Sequence, residues 1–294
     1  MPPALRKVVI FGVGLIGGSF ARALAKAGAV EAGGLIGISR TATYRRNRAV
    51  LQRIVDRTAI QEELSDELDD ADLVLLAVPV GQTATVLRLI KPHLDKKTVI
   101  TDAGSTKGDV VAAAREVLGD RVAQFVPGHP IAGAELSGAT AASADLYLGK
   151  KVVLTPLPEN SGEAVARVRR AWELCGATVS ELTPEQHDTV FAAVSHLPHL
   201  LSFALVHDLA QRDNKDLLLS FAASGFRDFT RIAASSPEMW RDISLANRDA
   251  LLQEVKRYAD ELYVIHQALQ NNDAAKLEEI FSVARAVRSN WTQQ

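Results

Sequence analysis

Two hydrophobic rhythms divide the chain. Short apolar runs at residues 8–11, 35–38, 73–78, 99–101 and 125–126 alternate with helical patterns at residues 19–25, 83–90 and 108–118. Strands that are apolar at nearly every position, interleaved with helices, predict a parallel sheet covered on both faces. Right-handed crossovers make that a doubly wound (Rossmann-like) α/β unit, with ligands outside the carboxyl ends of the strands. The strand pattern continues at residues 151–154 and 178–179, on either side of the loop-forming stretch 156–162. From Thr183 onward only helical patterns remain. Thr183 before Pro184, and Ser236 before Pro237, each pair a capping side chain with proline at the first helical position. The reading is an α/β unit over residues 1–182 and an all-α unit over residues 183–294.

One helical stretch, from about residue 190 to 211, is apolar on much of its circumference. Such a helix has to be buried, and a helical unit of roughly 110 residues offers little core of its own. A homodimer packing these helices across a two-fold axis would bury them.

Composition narrows the partners. A chain of 294 residues suggests two domains, since single cores stop growing near ~250 residues. A formal net charge of −2 gives no basic face for nucleic acid. The single cysteine, Cys175, rules out a disulfide scaffold. No run approaches the ~18 consecutive apolar residues of a membrane helix, and the N-terminus has no signal-peptide core, so a cytoplasmic protein is expected.

The candidate chemistry begins at Gly12-Val13-Gly14-Leu15-Ile16-Gly17, which follows a strand and opens a helix. Gly12 permits the tight turn, Gly14 lets the backbone approach a pyrophosphate, and Gly17 lets helix and strand pack closely. The helix N-terminus, through Leu15, Ile16 and Gly17, then offers free N–H groups to phosphates. Residues 1–182 therefore read as a dinucleotide-binding domain, with Val78 and Pro79, at the end of the third strand, beside the cofactor. An NAD-specific domain usually carries a carboxylate about twenty positions on, to bond the ribose 2′-OH. Here the second strand ends in Ser39-Arg40-Thr41, with Arg45, Arg46 and Arg48 close behind. Hydroxyl donors and a guanidinium suit a 2′-phosphate, so NADP is expected, with NAD possible.

Thr101-Asp102-Ala103-Gly104-Ser105-Thr106-Lys107 closes the fourth strand, where such a fold builds its site. Ser105 is placed to bond a substrate hydroxyl or a histidine. Asp102 reads as a loop-ordering residue, and Lys107 equally as a helix-start residue or a site residue. His129, between Gly128 and Pro130 after the fifth strand, is the leading base, on a sharp turn at the ligand end of the sheet. Neutral imidazole, with its ordinary pKa of about 6.5, can take a hydroxyl proton as hydride leaves the same carbon. In the helical half, Ser195-His196-Leu197-Pro198-His199 offers His196 as a substrate contact, with His199 as a core polar residue. No further ligands stand at metal-binding spacing around them. Arg227 and Arg231 are equal candidates for bidentate capture of a carboxylate.

Together the glycine loop, Asp102-Ala103-Gly104-Ser105-Thr106-Lys107, Gly128-His129-Pro130-Ile131-Ala132-Gly133, Ser195-His196-Leu197-Pro198-His199, Asp228-Phe229-Thr230-Arg231-Ile232-Ala233 and Met239-Trp240-Arg241-Asp242 resemble the prephenate and arogenate dehydrogenases of tyrosine biosynthesis. The resemblance implies oxidative decarboxylation of a cyclohexadienol: hydride leaves C4 for nicotinamide, His129 takes the hydroxyl proton, and loss of CO2 aromatises the ring. It implies Ser105 on the C4 hydroxyl and His129, Arg231 on the ring carboxylate, His196 on the side chain, and a helical dimerisation domain. Glu135, close behind His129, could pair with the ammonium that arogenate carries where prephenate has a ketone, so arogenate is the expected substrate, with prephenate as a second. Two other readings compete: a β-hydroxyacid dehydrogenase or imine reductase, which would place a lysine or other polar group on the helical side, and a non-enzymatic NADP sensor.

Overall fold

The computed structural model describes residues 3–39, 47–60, 64–133 and 138–291. Arg40, Thr41 and Glu135 lie outside them. Six parallel strands form the main sheet: β1 (Val8–Phe11), β2 (Leu35–Ser39), β3 (Arg57–Ile60), β4 (Leu73–Leu76), β5 (Val99–Asp102) and β6 (Phe125–Val126), in the order β3-β2-β1-β4-β5-β6. The register runs Val8↔Leu35 and Val8↔Leu73 on either side of β1. Strand side chains alternate between two cores, as the period-2 geometry requires. Val8 and Ile10 face a layer holding Phe20, Leu24 and Trp172, whereas Val9 and Phe11 face one holding Leu87, Ile90 and Val110. The first layer comes from α1 (Leu15–Lys26) and a later helix. The second comes from α3 (Thr83–Ile90) and α4 (Gly108–Leu118), with short α2 (Leu64–Leu68) at its edge. The strand order reverses direction between β1 and β4, so a crevice opens above Gly12 and Ala77.

A second, three-stranded sheet was not expected. Its strands are β7 (Gly128–Pro130), β8 (Lys151–Leu154) and β9 (Thr178–Glu181). β7 runs antiparallel to β8, pairing His129 with Val153, and β8 runs parallel to β9. The crossover between β8 and β9 is α5 (Gly162–Leu174), whose N-cap Ser161 accepts from the Ala164 N–H. His129 therefore sits in a strand and not on a sharp turn: Pro130 is the last strand residue, where its missing N–H costs no ladder bond.

Beyond β9 the described residues form helices. These are α6 (Pro184–Phe191), α7 (Leu197–Ala210), α8 (Lys215–Ser220), α9 (Ser224–Thr230), α10 (Pro237–Ala246), α11 (Arg248–Gln270) and α12 (Ala274–Asn290). Thr183 caps α6 in a full capping box with Gln186, and Ser236 caps α10. α6 and α7 join through a π-helical turn, Ala192–His196, into one helix running from Pro184 to Ala210. Pro198 explains the wider turn, because it has no N–H for the carbonyl four residues earlier. That 27-residue helix is long and apolar enough to cross a membrane by length and composition alone, which no uninterrupted apolar run had indicated. Its first turns instead pack on the dinucleotide-binding half. Along α7, by contrast, only Leu197 and Ser202 are buried.

Candidate active site

The glycine loop forms a cradle at the ligand end of β1. Gly12 has φ +90°, a left-handed value that other side chains resist, and a Cβ there would collide with the Ala77 carbonyl oxygen. A Cβ on Gly17 would strike the Gly12 carbonyl oxygen, so that glycine sets the strand–helix spacing. At Gly14 a Cβ would meet nothing within 4 Å among the described residues. It faces the open crevice, leaving room for a bound group beside the backbone. α1 begins with no side-chain cap and no acidic residue in its first turn, leaving its N–H groups to a phosphate. Gly12, Val13, Gly14, Ser39, Asn47, Val78, Pro79 and Gly138 line one cavity of about 230 Å³. Glycines, free N–H groups and cavity fit a dinucleotide. Behind the cradle, the fully buried Tyr147 donates to the Ile16 carbonyl at 2.6 Å and fixes the first turn of α1.

The neighbouring loop is ordered by a buried ion pair. Lys107 and Asp102 are 0% and 2% exposed, with Nζ 2.5 Å from Oδ2. Asp102 Oδ2 accepts the Gly104 N–H at 2.8 Å, and Oδ1 accepts the Gly128 N–H at 3.0 Å. Lys107 Nζ also donates to the Gly128 carbonyl at 2.9 Å. Both backbone groups of the residue before His129 are thus held by this pair. Asp102 is a loop-ordering residue, as read; Lys107 does stand at a helix start, as the N-cap of α4, and its buried side chain also holds the loop before His129.

His129 is half-buried on β7. Its Nδ1 stands 2.9 Å from Nε2 of His187, whose own Nδ1 stands 2.8 Å from Asp188 Oδ1. The Phe191 ring covers both histidines, with centroids 4.9 Å from His129 and 4.5 Å from His187. Desolvation, followed by the proximity of His187, Lys107 and His196, holds His129 well below the usual histidine range, so the ring is neutral near pH 7. His187 is lowered too, by burial that outweighs the opposing hydrogen bond it donates to Asp188. For Asp188, burial pushes the other way, but bonds from His187 and from the Gly108 and Lys107 N–H groups win and hold it below the carboxylate range. Those N–H groups, at 2.7 and 2.8 Å, open α4, so Asp188 caps a helix of the other half of the chain.

His196 ends the π-helical turn at 1% exposure. Asn247 uses its side-chain N–H groups twice, toward the Asp188 carbonyl at 2.8 Å and His196 Nδ1 at 3.1 Å. His196 Nδ1 is therefore the acceptor and Nε2 carries the proton. That Nε2–H faces the Ser105 backbone and makes no close, well-aligned hydrogen bond among the described residues. Burial, opposed only in part by Asp188, lowers His196 to about 4. The half-exposed His199 stacks on Trp240 with centroids 3.6 Å apart and feels the charge of Arg231, at the start of the turn Arg231–Ala234. Trp240 also meets His196 edge-on. Contacts thus run from His129 through His187, Asp188, Asn247, His196, Trp240 and His199 to the vicinity of Arg231. Arg227 lies on α9.

The sequence reading missed His187, Asp188 and Asn247. The one available signal was the capping box at Thr183, which put a histidine and an aspartate on the first turns of the helix where the chain changes halves.

A dinucleotide cradle beside a neutral histidine, completed by a helical half, defines the class: a two-domain dinucleotide-dependent dehydrogenase. Comparison with known proteins gives the family. The prephenate dehydrogenase nucleotide-binding domain matches residues 20–181, and the prephenate dehydrogenase dimerization domain matches residues 183–283. A prephenate dehydrogenase of Bacillus subtilis is 37% identical over 96% of this chain and 75% of its own. A cyclohexadienyl dehydrogenase of Zymomonas mobilis is 33% identical over 96% of this chain and 95% of its own. The crystal structure of prephenate dehydrogenase from Aquifex aeolicus, in complex with hydroxyphenyl propionate and NAD+, superimposes with a TM-score of 0.87 at 33% identity, covering 98% of this chain and 99% of that one. The chain belongs to the prephenate dehydrogenase family.

Proposed function

We propose that the protein oxidises and decarboxylates arogenate, and prephenate as a second substrate, using NADP, as a cytoplasmic homodimer divided at residues 182/183. The observation that carries the reading is His129, held neutral beside the cradle on a strand fixed by the buried Lys107–Asp102 pair. A nicotinamide dinucleotide in the cradle supplies the hydride acceptor. The protein supplies the rest. Ser105 bonds the C4 hydroxyl and His129 accepts its proton, so the C4–O bond becomes a carbonyl as the C4–H pair departs. Cleavage of the bond to the ring carboxylate then returns two electrons to the ring, releasing CO2 and giving a phenol. Arg231 pairs with that carboxylate until it leaves. The buried Nε2–H of His196, facing the Ser105 backbone, is a donor within reach of a substrate held at Ser105. Glu135 pairs with the ammonium of arogenate, the basis for ranking it above prephenate. NADP is favoured over NAD because β2 ends in Ser39, followed by Arg40 and Thr41, with no carboxylate to repel a 2′-phosphate. The exposed apolar faces, among them Val194, Leu217, Phe281 and Val287, support dimerisation through the helical half.

Steady-state kinetics on all four substrate–cofactor pairs is the test. Arogenate with NADP should give the highest kcat/KM; prephenate with NAD ranking first would overturn both preferences. His129→Asn should lower kcat by about 10²- to 10⁴-fold, and a variant keeping most of its activity would restore a lysine-dependent reductase as the better reading.

A further inference from the structure

We propose that His187, anchored by Asp188, is a positioning residue that dictates which nitrogen of His129 carries the proton and which is free to act as base. The proposal rests on the assignment of His129 as the base.

Asp188 is held by two main-chain donors. Its Oδ2 accepts the Gly108 N–H at 2.7 Å and its Oδ1 the Lys107 N–H at 2.8 Å. These main-chain donors cannot reverse their polarity, and they open a helix whose dipole also favours a negative charge. Asp188 is therefore ionised, and an ionised carboxylate only accepts. The His187 nitrogen facing it at 2.8 Å, Nδ1, must be the one bearing hydrogen.

In neutral His187 this leaves Nε2 as an acceptor. Bulk solvent does not reach it, because the side chain is wholly buried. Its partner is His129 Nδ1 at 2.9 Å, and two lone pairs cannot face each other at that distance. His129 Nδ1 therefore carries the proton and donates, and Nε2 keeps its lone pair. In the opposite tautomer His129 would present an N–H to the substrate hydroxyl and could take no proton from it. Among the described residues the charged or titratable groups around the two rings are Lys107, Asp102, Asp188 and His196; burial with Lys107 keeps both rings neutral, so each holds a single proton near pH 7. The base lies on β7 and the residues that orient it on α6, so its competence depends on the two halves being docked.

Two experiments test this. Long-range ¹H–¹⁵N spectra of the full-length protein with ¹⁵N-histidine, assigned through His129→Asn and His187→Gln, report each ring nitrogen directly. Protonated Nδ1 and bare Nε2 at His129 are expected, and the reverse pattern overturns the proposal whatever the activity of the variants. Kinetics give the second readout. His187→Leu, which removes the acceptor, should lower kcat at least 100-fold with KM within about three-fold, by the scale of a wrong-tautomer loss. His187→Gln, whose Oε1 can still accept from His129 but cannot titrate, should recover to within about ten-fold of the parent. His187→Leu matching the parent while His129→Asn is inactive would sink the positioning role and leave the base intact. Full activity in His129→Asn would instead remove the base itself.

Discussion

His196 makes the protein's acid sensitivity calculable. The unfolded chain binds a proton at this ring near pH 6.5, whereas burial lowers the folded value to about 4. Above pH 6.5 the ring is neutral in both states and contributes no pH dependence. As pH falls from 6.5 toward 4, the unfolded state takes up a proton that the folded state refuses, and stability is lost through that window. Between pH 7 and pH 5 this difference amounts to about 2 kcal/mol, and the full 2.5-unit gap at 1.36 kcal/mol per unit to about 3 kcal/mol. His129 and His187, lowered in the same direction, steepen the loss, and Asp109, raised by burial, opposes it. His196→Gln removes the titration while keeping a side-chain oxygen for Asn247. Thermal melts at fixed protein concentration, without substrate, compare the two proteins at pH 7 and pH 5. At ~2–4 °C per kcal/mol, the parent should lose about 4–8 °C more than the variant over that interval. Equal losses would refute the burial argument for His196.

Three further outcomes follow from the cradle and the ion pair. Lys107→Met leaves the Asp102 carboxylate buried without its partner and should cost about 3–5 kcal/mol in urea unfolding; adding Asp102→Asn should recover part of the loss, and no recovery would show that the lysine acts through packing. Gly14→Val should leave the melting temperature within about 2 °C, since its backbone is extended and its Cβ meets nothing within 4 Å, yet raise the cofactor KM at least ten-fold (about 1.4 kcal/mol); unchanged cofactor binding would place the dinucleotide elsewhere. Arg40→Glu should lower kcat/KM with NADP at least ten-fold while NAD holds or improves, and an unchanged NADP preference would move the 2′-phosphate contact off Arg40.

What could be read from the sequence was whatever one segment specifies alone. Val8, Val9, Ile10 and Phe11 face two different cores, so every position had to be apolar, and that run is visible without a fold. The bounds of α3 and α4 agree with their hydrophobic periods, and the caps at Thr183 and Ser236 are where proline marked them. β3 was missed because Arg57-Thr58-Ala59-Ile60 borders one neighbour only and needs no such run. His129 was recognised as chemistry but placed on a turn, because the pairing of Gly128-His129-Pro130 is written in Val152, Val153 and Leu154. Lys107 shows the same limit more sharply: an exposed lysine and a wholly buried one look alike until Asp102 and the Gly128 carbonyl are brought around it. A residue that touches a ligand must itself have the right chemistry, so glycines and a histidine give it away. A residue that tunes another needs only to arrive at the right place. His187 and Asp188 do so from adjacent positions on one helix, the first toward His129 and the second toward a helix terminus 80 residues away in sequence. Nothing in their own type or spacing separates that role from a solvated first turn.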